Sequence, residues 1–479
     1  MTLDRYQSPL SVRYASPMMQ RLWGPRHRAA LWRRLWLALA EAEQSLGVAI
    51  PEEALQQMRA HLDDTDLNVT AEYERRFRHD VMAHVHAFGD QAPAARPFLH
   101  LGATSAFITD NADLLLIRES YRVVLGRLVA VLDGLAGFAR AQGGLPCLAY
   151  THFQPAQLTT VGKRACLWAQ DFALDAEDLL HRIGTLRIRG CKGTTGTQAS
   201  FLELFGGDEA KVRELDRLVS ERLGFPAAFP VTGQTYPRKV DSQVLDTLSG
   251  VAQSASKFGV DLRLLQHEGE LLEPFESEQI GSSAMAYKRN PMRAERIGAL
   301  ARFVISLQSN GAHTAATQWL ERTLDDSANR RLSLPESFLA TDAILLLVEN
   351  VVAGLQVRPA VIARHVEQQM PFMATERWLM RAVQSGGDRQ ALHEVIRQAS
   401  VVVAERVSRG EENDLLNRLA TAPEFRALPV EELRADLDPV KYIGRAASQV
   451  PEFLDGYLVP LVQRARRAAA AAEPGEIFV

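Results

Sequence analysis

The stretch "LLLIRESYRVVLGRLVAVLDGLAGF", residues 114–138, places apolar side chains at Leu114, Ile117, Tyr121, Val124, Leu128, Val131, Leu135 and Phe138. The spacing alternates between three and four, a 3.5-residue seam sustained over more than three heptads. Such a seam marks a long helix packed in a bundle. At 1.5 Å per residue these roughly 25 residues span about 37 Å, longer than an ordinary globular helix. Similar patterns predict long helices over about 161–189, 235–267, 292–319 and 333–354. Strand signals are few, because no alternating Val, Ile or Thr run is bounded by hairpin turns. The fold class expected is therefore all-α, with a long central bundle that buries its seam against other subunits as well as itself.

Working outward, a chain of 479 residues is long for one core, so two or three domains are expected. One boundary falls near 104, just before the long helix. Another falls near 357, where Gly354 and Pro359 break the preceding pattern. The division is an N-terminal helical domain over 1–104, a central bundle over 105–357 and a C-terminal helical domain over 358–479.

Net charge of −4 and a pI near 6.3 argue against a general nucleic-acid binder, so local basic clusters are expected to meet small anions. Cys147, Cys166 and Cys191 form no CxxC pair, which fits a reducing compartment rather than a disulfide framework. The opening residues have no apolar core of the kind a secretory leader carries. The longest apolar run, "AILLLVENVVAGL", is short and interrupted by Glu349 and Asn350, so no membrane span is expected and the location expected is cytoplasmic.

The chemistry is concentrated in the segments between helices. Residues 280–296, "IGSSAMAYKRNPMRAER", gather Lys288, Arg289, Arg293 and Arg296 behind a Gly-Ser-Ser turn. Gly281 permits a tight turn whose backbone N–H groups can face an anion. Lys288 and Asn290 can donate to a carboxylate, and Pro291 suits the start of a helix whose N-terminus favours negative charge. Serine is a weak base when free, and serves only where a cationic, N–H-rich pocket stabilises its alkoxide. The combination suits removal of a proton beside a carboxylate.

His152, in "YTHFQPAQLTT" between a loop and a helix, is crowded by Thr151, Gln154, Gln157, Thr159 and Thr160 and has the chemistry of a general acid. His79, His84 and His86 invite a metal reading, but their spacing matches no zinc motif and positions 84 and 86 point apart on a helix. Arg78, His79 and Asp80 make the better unit: a cation, a titratable donor and a carboxylate in succession. "KGTTGTQAS" (192–200) is either an anion-cradling loop or a flexible one, and lacks the ending of a Walker A motif.

The segment "GSSAMAYKRNP" (281–291) resembles the signature loop of the fumarase/aspartase superfamily. "RYASP", "RHDVMAHVH", "HLGATS", "THFQPAQLTTVGKR", "KGTTGTQASF", "TGQTY" and "RTLDDSANRR" look like the animal-type branch of the adenylosuccinate lyase family, in the family's order from about residue 8 to about 460. The resemblance implies a three-domain, mostly helical protomer that forms a homotetramer, with active sites built from loops of three subunits. It implies anti elimination of fumarate from adenylosuccinate, giving AMP, and from SAICAR, giving AICAR, with no cofactor and no metal.

Carried over by position, Ser282 matches the base and His152 the acid. Lys288 and Asn290 match the succinyl-holding positions, with Thr104 and Ser105 beside them and Thr151 next to the acid. Arg13, Tyr14, Arg296, Arg322, Ser327 and Arg331 match nucleotide-contacting positions. Arg78, His79, Asp80 and Gln234 are expected to line the substrate. Ala286 departs from the pattern, standing where the family usually has proline. Competing readings are another fumarate-releasing lyase, such as argininosuccinate lyase, a non-catalytic structural homologue, and a hydrolase with a metal on the three histidines.

Overall fold

The computed structural model describes residues 4–276, 278–281 and 283–470. Ser282, the expected base, lies outside the described residues. Among the described residues the fold is all-α apart from two small two-stranded sheets.

The seam helix runs from Ser105 to Ala141, 37 residues. Leu114, Ile117, Tyr121, Val124, Leu128, Val131 and Leu135 are all buried, and Phe138 packs at the edge of the same core. Burying an aliphatic side chain of this size is worth about 1.5–3 kcal/mol. The seam alone is therefore a principal stabiliser of the bundle. Four more long helices surround it: Val161–Thr185, Lys239–His267, Met292–Thr317 and Asp326–Ala353. The last begins seven residues earlier than its apolar pattern suggested, because its first two turns are held by ion pairs rather than apolar contacts.

Lys239–His267 packs most extensively on Met292–Thr317, and Ser105–Ala141 lies between Val161–Thr185 and Asp326–Ala353. Close approach has its own requirement at Gly162, where a Cβ would collide with the Ala139 carbonyl and Gly143. The Arg127 charge, buried in the bundle, is paired, which offsets its desolvation cost. Arg127 reaches both Asp342 and Glu349 at 3.4 Å, and Asp342 also accepts from the Ser16 backbone N–H at 2.7 Å.

A second, smaller core forms from Ala374, Trp378, Leu415, Leu419, Phe425 and Leu433 in the C-terminal helices. The indole N–H of Trp378 donates to the Leu433 carbonyl at 3.0 Å.

The segment around His152 differs from its reading as a loop leading into a helix. Pro146–Thr151 and Gln154–Thr160 form an antiparallel hairpin with Thr151 opposite Gln154, so His152 and Phe153 are its two-residue tip. Both tip residues are left-handed, with φ of 53° and 56°. That is the backbone of a type I′ turn, whose twist matches the strands. The sequence signal was absent because such tips usually carry Asn or Gly, and here they carry a histidine and a phenylalanine.

Candidate active site

A cleft of about 870 Å³ opens where three segments converge on the bundle. This is within the size of ordinary small-molecule sites. The first segment is the junction between the Leu67–Phe77 and Asp80–Gln91 helices. Arg78 terminates the first helix in a left-handed conformation, and His79 caps the second. The Met82 N–H donates to His79 Nδ1 at 3.3 Å, so the neutral ring carries its proton on Nε2, which faces Ser105 Oγ at 3.3 Å. A local capping bond thus sets which ring nitrogen donates into the cleft.

The second segment is the start of the seam helix, which sends Ser105, Thr109, Asp110 and Asp113 along one face. Thr104 is its N-terminal flanking residue. The third comprises Gln234 and the residues from Arg322 to Arg331. The Gln234 backbone is pinned on both sides: its N–H donates to the Glu321 carbonyl at 3.0 Å, and its carbonyl accepts from Arg189 Nε at 2.6 Å.

Beneath these groups lies a buried ionic lattice. Asp110 accepts both terminal nitrogens of Arg238 at 3.1 Å and the Tyr236 N–H at 2.9 Å. Arg238 Nε reaches Asp326 at 2.6 Å. Arg330 pairs with Asp241 at 2.6 Å and Asp113 at 3.0 Å, and the Tyr236 hydroxyl donates to Asp241 at 2.5 Å. Burial alone would raise the Asp110 carboxyl, but Arg238 and Arg330 hold it below the ordinary range. The floor is therefore a densely cross-linked lattice in which only Asp326 Oδ1 lacks a hydrogen-bond partner among these described groups.

The wall is different. Arg331 makes a long contact with Asp80 at 3.5 Å, while Arg28, Arg78 and Arg322 have no carboxylate partner among the described residues. The cleft presents cationic groups ready for an anion.

Of the expected residues, this cleft brings together Arg78, His79, Asp80, Thr104, Ser105, Gln234, Arg322, Ser327 and Arg331. It does not include the others. Thr151 and His152 stand exposed at the hairpin. Lys288 is exposed on its loop, and the Asn290 amide is used to donate to the Gly281 carbonyl at 2.8 Å. Arg13, Tyr14 and Arg296 do not line it either, and the Arg296 guanidinium lies 5.5 Å over the Tyr14 ring. The described expected residues thus divide between the cleft and the segments outside its lining: the hairpin tip, the 283–290 loop, and the Tyr14–Arg296 contact.

The histidines of the metal reading are separated as well. His84 stands edge-on to Trp32 at 4.8 Å, whereas His86 stacks on Tyr73 and Phe77. Burial, followed by Arg33 nearby, lowers His84 to about 4, which keeps the ring neutral. In "KGTTGTQAS", Lys192 is already paired with Asp216 at 2.5 Å, and Gln198 Nε2 donates to the Cys191 carbonyl at 2.8 Å. This segment is a folded turn with its cation used internally.

Sequence reasoning missed Arg28, Thr109, Asp110, Asp113, Arg238, Asp326 and Arg330. Asp326 and Arg330 fall one residue before Ser327 and Arg331 on the same helix, and only packing decides which pair turns inward.

Residues 16–306 match the family described as "Lyase", and residues 371–453 match "Adenylosuccinate lyase C-terminus". The chain is 50% identical over 458 residues to adenylosuccinate lyase from Saccharomyces cerevisiae, covering 94% of each chain. It is 43% identical to that of Schistosoma mansoni, with 96% of each covered, and 41% identical to that of Caenorhabditis briggsae, with 98% of each covered. The fold is shared with fumarate lyase from Mesorhizobium sp. BNC1 (TM-score 0.78, 24% identity, 94% of this chain and 100% of that one). It is also shared with the 3-carboxy-cis,cis-muconate lactonizing enzyme of Pseudomonas putida (TM-score 0.80, 23% identity, 97% and 100%). Sequence along nearly the whole length and the architecture of the bundle thus agree, and the chain belongs to the adenylosuccinate lyase family.

Proposed function

We propose that the protein eliminates fumarate from adenylosuccinate to give AMP, and from SAICAR to give AICAR. The observation that carries this reading is the cleft where the 78–80 junction, the 104–105 helix start and the 322–331 segment meet, with Arg78 and Arg322 lacking a carboxylate partner among the described residues, in a chain whose near-full-length relatives are adenylosuccinate lyases. Both substrates carry a phosphate and two succinyl carboxylates, which suits such a wall.

In the proposed reaction Ser282 removes a proton from the succinyl carbon next to a carboxylate. The resulting charge spreads into that carboxylate, where Lys288 and Asn290 stabilise it. The carbon–nitrogen bond then breaks, its electron pair goes to nitrogen, and His152 supplies the proton that nitrogen needs. Arg13, Tyr14, Arg296, Arg322, Ser327 and Arg331 hold the nucleotide, while Arg78, His79, Asp80, Thr104, Ser105, Thr151 and Gln234 orient the substrate. No cofactor is required for this balance of electrons and protons.

That Thr151, His152, Lys288 and Asn290 do not line the cleft supports a site completed between protomers of a homotetramer. Exposed apolar residues support the same assembly: Leu167 and Leu174 on one long helix, Val260 and Leu264 on the next, Phe303 on a third. Spaced by seven and by four, the two pairs each lie on one helix face. The three buried thiols suit the cytoplasmic location assigned in this reading.

The test is fumarate release from adenylosuccinate, run beside argininosuccinate and repeated with Ser282→Ala. Release from adenylosuccinate alone, reduced by several orders of magnitude in the variant, is expected. Release from argininosuccinate, or an unaffected variant, would refute the reading.

A further inference from the structure

The segment from Glu273 to Ala294 leaves the bundle and returns to it, and three side chains fasten its two ends together. Glu273, only 3% exposed, accepts the Arg293 N–H at 3.0 Å through one oxygen and the Ala294 N–H at 2.9 Å through the other. Arg293, 1% exposed, sends its guanidinium back to the outgoing strand, donating to the Pro274 carbonyl and to Glu276 at 2.6 Å. Gln266, on the helix below, accepts the Glu273 N–H and donates to the Arg289 carbonyl, both at 3.1 Å. The crossings are reciprocal, so neither strand can shift without breaking bonds to the other.

Beyond this neck the loop is exposed at Met285, Tyr287 and Lys288, and it braces itself internally. Asn290 donates to the Gly281 carbonyl, and Arg289 lies 5.1 Å over Phe275. A buried neck with a braced body moves as a unit: its orientation is decided at its base.

We infer that Glu273 is a positioning residue, whose paired bonds to the first turn of the Met292–Thr317 helix set the angle at which the loop presents Lys288 and Asn290. The inference rests on the function proposed above for that loop. Nothing in the position of Glu273 requires it to touch substrate. It acts through the neck, and a neutral amide there would set an N–H donor against a backbone N–H, opening one of the two bonds.

The experiment uses the full chain with Glu273→Gln, measured by fumarate release from adenylosuccinate, by equilibrium binding of AMP, by thermal melting and by limited trypsin cleavage after Lys288 and Arg289. Misplacing reacting groups by about 1 Å costs up to about a hundredfold, so kcat should fall about ten- to a hundredfold. AMP, which lacks the succinyl group, should bind within about twofold of the parent, because Arg322 and Arg331 of the cleft lie outside the neck and the loop it carries. Trypsin should nick the loop severalfold faster. Unchanged kcat with unchanged nicking would overturn the inference, as would loss of AMP binding in step with kcat. Should Glu273→Gln not fold, Arg293→Lys severs the returning bonds while keeping the charge, and carries the same expectations. A parent protein that releases no fumarate would refute the functional reading, while the trypsin comparison would still decide the neck.

Discussion

At Ala286 the loop contains a turn that wants a different residue. The Lys288 N–H donates to the Met285 carbonyl at 3.0 Å, closing a four-residue turn with Ala286 at its second position. Proline fits that position of common turns, since its fixed φ is already the one required. Among the described residues nothing accepts the Ala286 N–H, so proline removes no bond. Alanine leaves the open loop more conformations to visit. Ala286→Pro should bias the loop by about 0.4–1 kcal/mol, the entropy such replacements withdraw. If ordering the loop limits turnover, kcat/KM for fumarate release should rise about two- to fivefold. Unaltered kcat and KM would show that loop order does not limit the reaction. At this scale residue type was enough to pick out the Arg-His-Asp triplet, residues 78–80, which does line the cleft. The sequence was not legible at Asp326 and Arg330, because polar residues at adjacent helical positions are separated only by which side packs.

The long helices were found where their patterns lay, though Asp326–Ala353 starts two turns earlier than read, whereas the 146–160 hairpin was missed. Its strands are exposed over much of the second half and its tip lacks turn residues, so no two-residue alternation stood out. Its strain is informative: two non-glycine left-handed residues cost about 1–2 kcal/mol each and persist where surrounding structure imposes them. The Pro25–Ser45 helix conceals a second cost. Glu43 is fully buried on it, and neither carboxylate oxygen has a hydrogen-bond partner among the described residues. Burial pushes this carboxyl up to about 9. Below the unfolded value near 4.5 both states hold the proton, and the group has no effect on stability. Between there and about 9 the unfolded chain ionises while the folded one does not, so stability falls as pH rises, by about 1.4 kcal/mol per unit at most. Glu43→Gln removes the titration. Melting temperatures from pH 6 to 8.5 should fall more steeply in the parent than in the variant, and parallel slopes would mean that Glu43 finds a partner or water on ionisation.

On the scale of the whole molecule, His152, the acid of the proposed reaction, does not line the cleft of its own protomer. The wall with Arg78, His79 and Arg322 includes neither the 146–160 hairpin nor the 281–291 loop of the same chain. A seam read from sequence predicts that helices bundle, but it does not say which loops of which copies then meet, because that depends on how exposed faces such as those of Leu167 and Leu174 are covered. If a neighbouring copy supplies the hairpin, His152→Ala and Arg322→Ala damage different halves of each site. Each variant alone should be severely impaired at limiting adenylosuccinate. When the two are co-assembled at random, a site takes an intact hairpin from the Arg322→Ala chain half the time and an intact cleft from the His152→Ala chain half the time. About a quarter of sites are then whole, and activity should recover to about that fraction of the parent. Mixed assemblies as inactive as either variant would place both residues on one chain within each site. Recovery would mean that the catalytic unit is the assembly, in which each copy completes a neighbour.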